Sequence, residues 1–161
     1  MAKLNFVKKC RKDYPEYDIK KGDSYYWWQF RNSPKMKSKI RPKRSQLTQS
    51  SFLGQIYDIL DSDYFPEETS IKNLEELRDN LITLLEELKD KCEESLDNMP
   101  EHLQDSSSTG ELLQERIDNL EDWMSNLESV DFELDEELDE EEKKDIIEDI
   151  RIELIECNQY F

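Results

Sequence analysis

From Ser70 onward, Ile71, Leu74, Leu77, Leu81, Leu84, Leu85, Leu88, Cys92 and Leu96 recur by threes and fours, an apolar stripe about seven turns long at 3.6 residues per turn. A helix draws most of its stability from packing such a stripe against something else, so the chain has to supply a cover for it. Two further stripes follow: Leu112, Leu113, Ile117, Leu120, Trp123, Met124, Leu127 and Val130, then Ile146, Ile147, Ile150, Leu154, Ile155 and Cys157. Met99-Pro100 closes the first helix. Gln104 to Gly110 reads as a polar linker, with Ser108 and Glu111 spaced as a capping box. Asp131 to Asp139 is the turn before the last helix, whose first turn is crowded with acids, as the positive end of a helix dipole favours. The expectation is an acidic, antiparallel three-helix bundle over residues 63–161.

The front of the chain is built differently. Residues 1–50 carry fourteen Lys or Arg against four Asp or Glu, a balance of +10; residues 51–161 carry eight against thirty-six, or −28, and the two add to the net −18 of the whole. Charge sorted in this way marks an interaction protein: a basic front attracts phosphate, and an acidic rear repels it or holds a basic partner. Within the basic part, Ser24 to Arg31 reads SYYWWQFR. Strand periodicity sends Tyr25, Trp27 and Gln29 to one face and Tyr26, Trp28 and Phe30 to the other. Asn32-Ser33-Pro34-Lys35 reads as a turn, and Met36 to Ile40 as the returning strand of a β-hairpin that ends at Arg41-Pro42.

An isolated hairpin is marginal and must lean on a helix. Leu4, Phe6 and Val7, set among Lys3, Lys8, Lys9 and Arg11, read as one short amphipathic helix; Phe52, Leu53, Ile56, Tyr57, Ile59 and Leu60 supply a second. Thr48 serves as N-cap of the second, with Leu47 and Phe52 at the spacing of a hydrophobic staple. Lys20-Lys21-Gly22-Asp23 is a turn in which Gly22 takes positive φ. The predicted class is α+β, with a basic hairpin-and-helix module over residues 1–62 joined to the mostly α acidic part.

The strongest functional signal lies in residues 20–44. Lys35, Lys37, Lys39, Arg41, Lys43 and Arg44 fall at mostly alternate positions, so a strand through Met36 to Ile40 presents its lysines on one face like a comb, and Lys20, Lys21 and Arg31 add charge around it. Such a comb follows a phosphate backbone, while Trp27, Trp28 or Tyr26 stack on unpaired bases. The plain alternative is a small core of rings with a solvated lysine edge that discourages strand pairing. For the acidic helices the corresponding pair is a surface that imitates nucleic acid toward a basic protein, or the ordinary solvated outside of a bundle. The −28 segment folding back on the +10 segment is a third arrangement.

Enzymatic readings find little support. His102, the only histidine, sits beside Pro100 in a polar connector. Asp18-Ile19-Lys20 has the D-x-K form of some nucleases, but Glu16 stands two residues upstream where a strand-length separation is needed. Asp61-Ser62-Asp63 begins like a calcium loop and fails at Phe65, Pro66 and Lys72. The three glycines form no phosphate-cradling loop. Cys10, Cys92 and Cys157 are too far apart and too few for a disulfide framework or zinc site, which points to a reducing cytoplasm. MAKLNFVKKCRK has no signal-peptide core, and no apolar run approaches bilayer length. The expectation is a cytoplasmic, non-enzymatic protein with no cofactor or metal and no membrane association.

KKGDSYYWWQFR (20–31) and RPKRSQLTQSSF (41–52) resemble a group of small uncharacterised proteins of bacteria and their phages that share a KxGDxYYWWxFR run followed by PxxSQLTQSxF. The resemblance covers about residues 9 to 60 and departs at Asn32-Ser33-Pro34, where the group has a glycine-rich hairpin tip. It implies no known activity; the phage setting implies a DNA-transaction or host-directed role by analogy.

Overall fold

The computed structural model describes residues 1–61, 64–67, 69–104, 106–134 and 139–161. In it the aromatic run forms the middle of a three-stranded antiparallel sheet, with β1 (Asn5–Val7), β2 (Tyr25–Trp28) and β3 (Met36–Ser38) in the order β1-β2-β3. The helices are α1 (Ser51–Leu60), α2 (Ile71–Asp97), α3 (Glu101–Gln104), α4 (Ser108–Glu128) and α5 (Glu140–Glu156), so the class is mixed α and β. Contacts divide the chain into two compact units, Met1–Asp63 and Tyr64–Phe161. Residues 62 and 63, where the module boundary was expected, lie outside the described residues, as do residues 135–138 of the turn before α5.

Register assigns the faces of the sheet. Asn5, Phe6 and Val7 lie opposite Trp27, Tyr26 and Tyr25, and Tyr26, Trp27 and Trp28 lie opposite Ser38, Lys37 and Met36. Directly opposed residues share a face. One face therefore carries Asn5, Val7, Tyr25, Trp27 and Lys37, and the other Phe6, Tyr26, Trp28, Met36 and Ser38. Residues 5–7, expected as part of a helix, are instead an edge strand. Three residues cannot repay helix nucleation, whereas the open edge of β2 offers ready ladder partners.

The loop from Lys8 to Ser24 closes over the first face. Pro15 opens a 3-10 turn (Pro15–Tyr17), and Asp18 takes the left-handed conformation at φ 51, so that Tyr14 N–H donates to Ile19 O at 2.7 Å. Gly22 has φ 103, and its N–H donates to Cys10 O at 2.9 Å, tying the two ends of the loop together. Inside, Cys10, Ile19 and Tyr25 are buried, with Val7, Tyr14, Tyr17 and Trp27 packed around them. Asn32, at φ 62, turns the hairpin without a glycine. A second 3-10 turn (Arg44–Leu47) packs against α1. The N-cap of α1 is Ser50, whose Oγ accepts from Leu53 N–H at 3.2 Å, and not Thr48, whose Oγ1 accepts from Ser50 N–H instead. With the helix start shifted by two residues, Leu47 and Phe52 no longer stand at the N′ and N4 positions that define a hydrophobic staple.

In the second unit α2 and α4 run antiparallel. Lys89 on α2 pairs with Glu121 on α4 at 3.0 Å, the Arg78 guanidinium lies over the Phe132 ring beyond the end of α4 at 4.6 Å, and Gln104 Nε2, before its start, donates to Leu96 O at 3.1 Å, so partner numbers fall from 132 to 104 as they rise along α2. The C-terminal end of α5 is held to α4 by Asn126 Nδ2 donating to Cys157 O at 3.3 Å and by Tyr160 OH donating to Asp122 at 3.1 Å. Leu74, Leu81, Leu85, Leu120, Leu127 and Leu154 are almost wholly buried. Leu84, Leu112 and Ile155, read as stripe members, are exposed. Each adjoins a more deeply buried residue (Leu85, Leu113 and Leu154), and the step of about 100° between neighbours carries it to the margin of the stripe that the other centres. The cap of α4 is Ser107, one residue before the predicted Ser108. Among the described residues, no helix is long and apolar enough to cross a membrane.

Candidate nucleic-acid interface

Because Lys37 lies opposite Trp27, the alternation of β3 puts Lys35, Lys37 and Lys39 on the face that the Lys8–Ser24 loop closes over. Their surroundings differ along the comb. Lys39 Nζ lies 3.2 Å from Asp18 and 3.3 Å from Asp23, and the Asp18 carboxylate, then Asp23, holds its pKa above the ordinary lysine value. Asp23 is held below the usual carboxylate range, first by the Lys20 backbone N–H donating to Oδ2 at 3.0 Å and then by Lys39. Lys37 Nζ instead lies over the rings of Tyr14 and Tyr17, at 4.2 and 4.9 Å from their centroids. Lys35 Nζ lies over Trp27 at 4.5 Å, and Lys12 over Tyr14 at 5.2 Å. The Tyr17 hydroxyl donates to Lys35 O at 3.2 Å and the Tyr14 and Tyr25 centroids are 5.9 Å apart, so the platforms are held from two sides. Burial, ahead of the hydrogen bond with Tyr14, pushes the Tyr25 phenol pKa up.

A ring attracts an ammonium through its quadrupole and carries no net charge, so Lys35 and Lys37 keep their full positive charge. Among the described residues, Lys20, Lys21, Arg31, Lys35, Lys37, Arg41 and Lys43 form no ion pair, and apart from half-buried Lys37 all are exposed. Arg44 is committed: its Nε meets Asp61 at 2.8 Å and its guanidinium lies over Tyr57 at 4.6 Å. Trp28 is 5% exposed and belongs to the core, so it offers no face to a base, although its indole N–H finds no acceptor among the described residues. Tyr26 is half-buried, with the exposed Phe6 tilted onto it at 4.9 Å, on the opposite face from the lysines.

Sequence reasoning missed Tyr14, Tyr17 and Lys12 as members of this surface, and Asp18 and Asp23 as the counter-charges of Lys39. The Tyr-Pro-x-Tyr spacing marks a turn carrying two rings, but nothing local says which strand the turn will cover. The three cysteines are free and buried, and burial pushes the Cys92 and Cys157 thiols up. Among the described residues, no group of His, Cys, Asp and Glu is arranged to hold a metal ion. Comparison with known proteins finds no matching family, no curated protein and no solved structure.

Proposed function

We propose that the protein is a non-enzymatic, regulatory binder of nucleic acid or of a nucleoprotein, acting in the cytoplasm through residues 20–44 of its first unit. The observation that supports this reading is the contrast along β3. Lys39 is neutralised within the unit, while Lys35 and Lys37 lie over rings with their charge uncompensated. An ammonium over such a half-buried ring is held by between about 0.5 and 2 kcal/mol, little enough for a phosphate to recruit it. In this reading the second unit is an acidic three-helix bundle that serves as a partner or dimer surface, and the phage or mobile-element setting rests on the motif resemblance alone.

A second reading makes those helices the contact: an adaptor or inhibitor, acid-faced like DNA, that holds a basic protein. It is favoured by Leu112, Ile152 and Ile155, which stand exposed on α4 and α5 among carboxylates. Retention of the whole chain on a polyanion column separates the two, because a protein of net charge −18 stays on such a column only through a local basic surface. The expected result is retention at low salt, lost in Lys35→Glu/Lys37→Glu with unchanged far-ultraviolet circular dichroism. Flow-through of the native protein at low salt rejects the first reading.

A further inference from the structure

Resting on that reading, we infer that the ligand is single-stranded nucleic acid, whose bases take the places on Trp27 and on the Tyr14–Tyr17 pair that the ammonium groups of Lys35 and Lys37 now fill. Lys35 directly precedes β3 and Lys37 lies within it, two residues on, so the two covered platforms are fed from points roughly 7 Å apart if the chain stays extended, a separation that consecutive nucleotides of an extended strand can match. At each platform one contact is exchanged for two: the ammonium leaves the ring, a base stacks in its place, and the freed ammonium meets a phosphate. A duplex can use the lysines but not the rings, since its bases are already stacked on one another. The unit also lacks the usual means of reading a duplex, because α1 carries no Lys or Arg from Ser51 to Leu60 to enter a major groove. Trp27 provides an internal reporter, being half-buried while Trp28 and Trp123 are 5% and 2% exposed.

The test uses the full chain with three probes at equal salt: a short oligothymidylate, an abasic strand with the same number of phosphates, and a duplex of the same length. The expected result is binding of oligothymidylate about tenfold or more tighter than of the abasic strand or the duplex, with quenching of tryptophan emission. Trp27→Thr, which keeps a strand-forming residue in β2, removes one of the two platforms and should narrow the advantage of oligothymidylate over the abasic strand severalfold, the remainder resting on the Tyr14–Tyr17 pair. Equal affinity for the abasic strand, or tighter binding of the duplex, overturns the single-strand inference while the polyanion reading stands. Failure of all three probes to bind at low salt overturns both. If Trp27→Thr does not fold, the abasic comparison on the native protein still decides.

Discussion

Neutralising Lys35 and Lys37 together should change how binding responds to salt by an amount that can be worked out in advance. Each phosphate met by a protein cation contributes about 0.7 to the slope of log affinity against log salt on single strands. Two such contacts contribute about 1.4, which at physiological ionic strength corresponds to roughly fifteenfold in affinity if nothing but counterion release is lost. Lys35→Gln/Lys37→Gln should therefore flatten the slope by about 1.4. The control is Arg44→Gln/Asp61→Asn, which removes one ion pair of 2.8 Å and leaves the net charge unchanged. Because Arg44 already spends its charge on Asp61, that pair of substitutions should leave the slope where it was. Fluorescence anisotropy of a labelled oligothymidylate across a salt series measures both. If the control flattens the slope as much as the lysine pair does, internal pairing does not decide which cations meet phosphate, and the assignment of the interface to the β3 face is wrong.

A Cβ at Gly110 would run into the Gln104 carbonyl, with Leu103 O at 2.8 Å, whereas one at Gly54 meets Thr48 Cγ2 at 3.9 Å; thermal melts should show Gly110→Ala strongly destabilised and Gly54→Ala stabilised by about 0.5–1 kcal/mol. Ile19 is 1% exposed at the centre of the first unit's core, so Ile19→Ala should cost about 2–5 kcal/mol and Ile19→Val about 0.5–1.5 in urea denaturation followed by tryptophan emission. Asp23, its pKa lowered, stabilises the fold above the ordinary carboxylate range and loses that contribution as pH falls through its lowered value; Lys39, its pKa raised, contributes below the ordinary lysine pKa and loses this as pH rises through its raised value. Between pH 5 and 2 the urea midpoint of Asp23→Asn should consequently fall less than that of the native chain.

The parts of this fold legible in the sequence are those whose cause is local. The α2, α4 and α5 stripes announce themselves because 3.6-residue periodicity needs no knowledge of the partner, and the hairpin is visible because Asn32-Ser33-Pro34 separates two strand-like runs. The caps at Ser50 and Ser107 slipped by two residues and by one for a related reason. Thr48 and Ser50, like Ser107 and Ser108, offer competing oxygens, and the surrounding chain decides which one meets the first free N–H. The edge strand β1 was illegible because three residues hold no period and its pairing partner lies about twenty positions away. Gly110 looked like the end of a linker, whereas the backbone of Leu103 and Gln104 approaches it too closely for any side chain.

The candidate site was half legible for a reason rooted in sheet parity. The alternation of Lys35, Lys37 and Lys39 can be read from the chain, but which face they share is fixed only by register, and a slip of one residue would exchange them for Met36 and Ser38. With Lys37 opposite Trp27, the lysines meet the loop that carries Tyr14, Tyr17 and Asp18; in the slipped register they would meet Tyr26 and the side of Trp28. The same parity that buries Trp28 leaves Trp27 at the rim beneath Lys35. A run of neighbouring aromatics thus splits into core and surface by position alone, and the ligand reading depends on that split. If binding followed total basic charge, moving Lys37 to position 36 would be neutral. If it depends on the ring-covered face, the exchange Met36→Lys/Lys37→Met, which preserves composition and net charge, should weaken oligothymidylate binding and flatten its salt slope by about 0.7, the one phosphate contact that Lys37 supplies from that face.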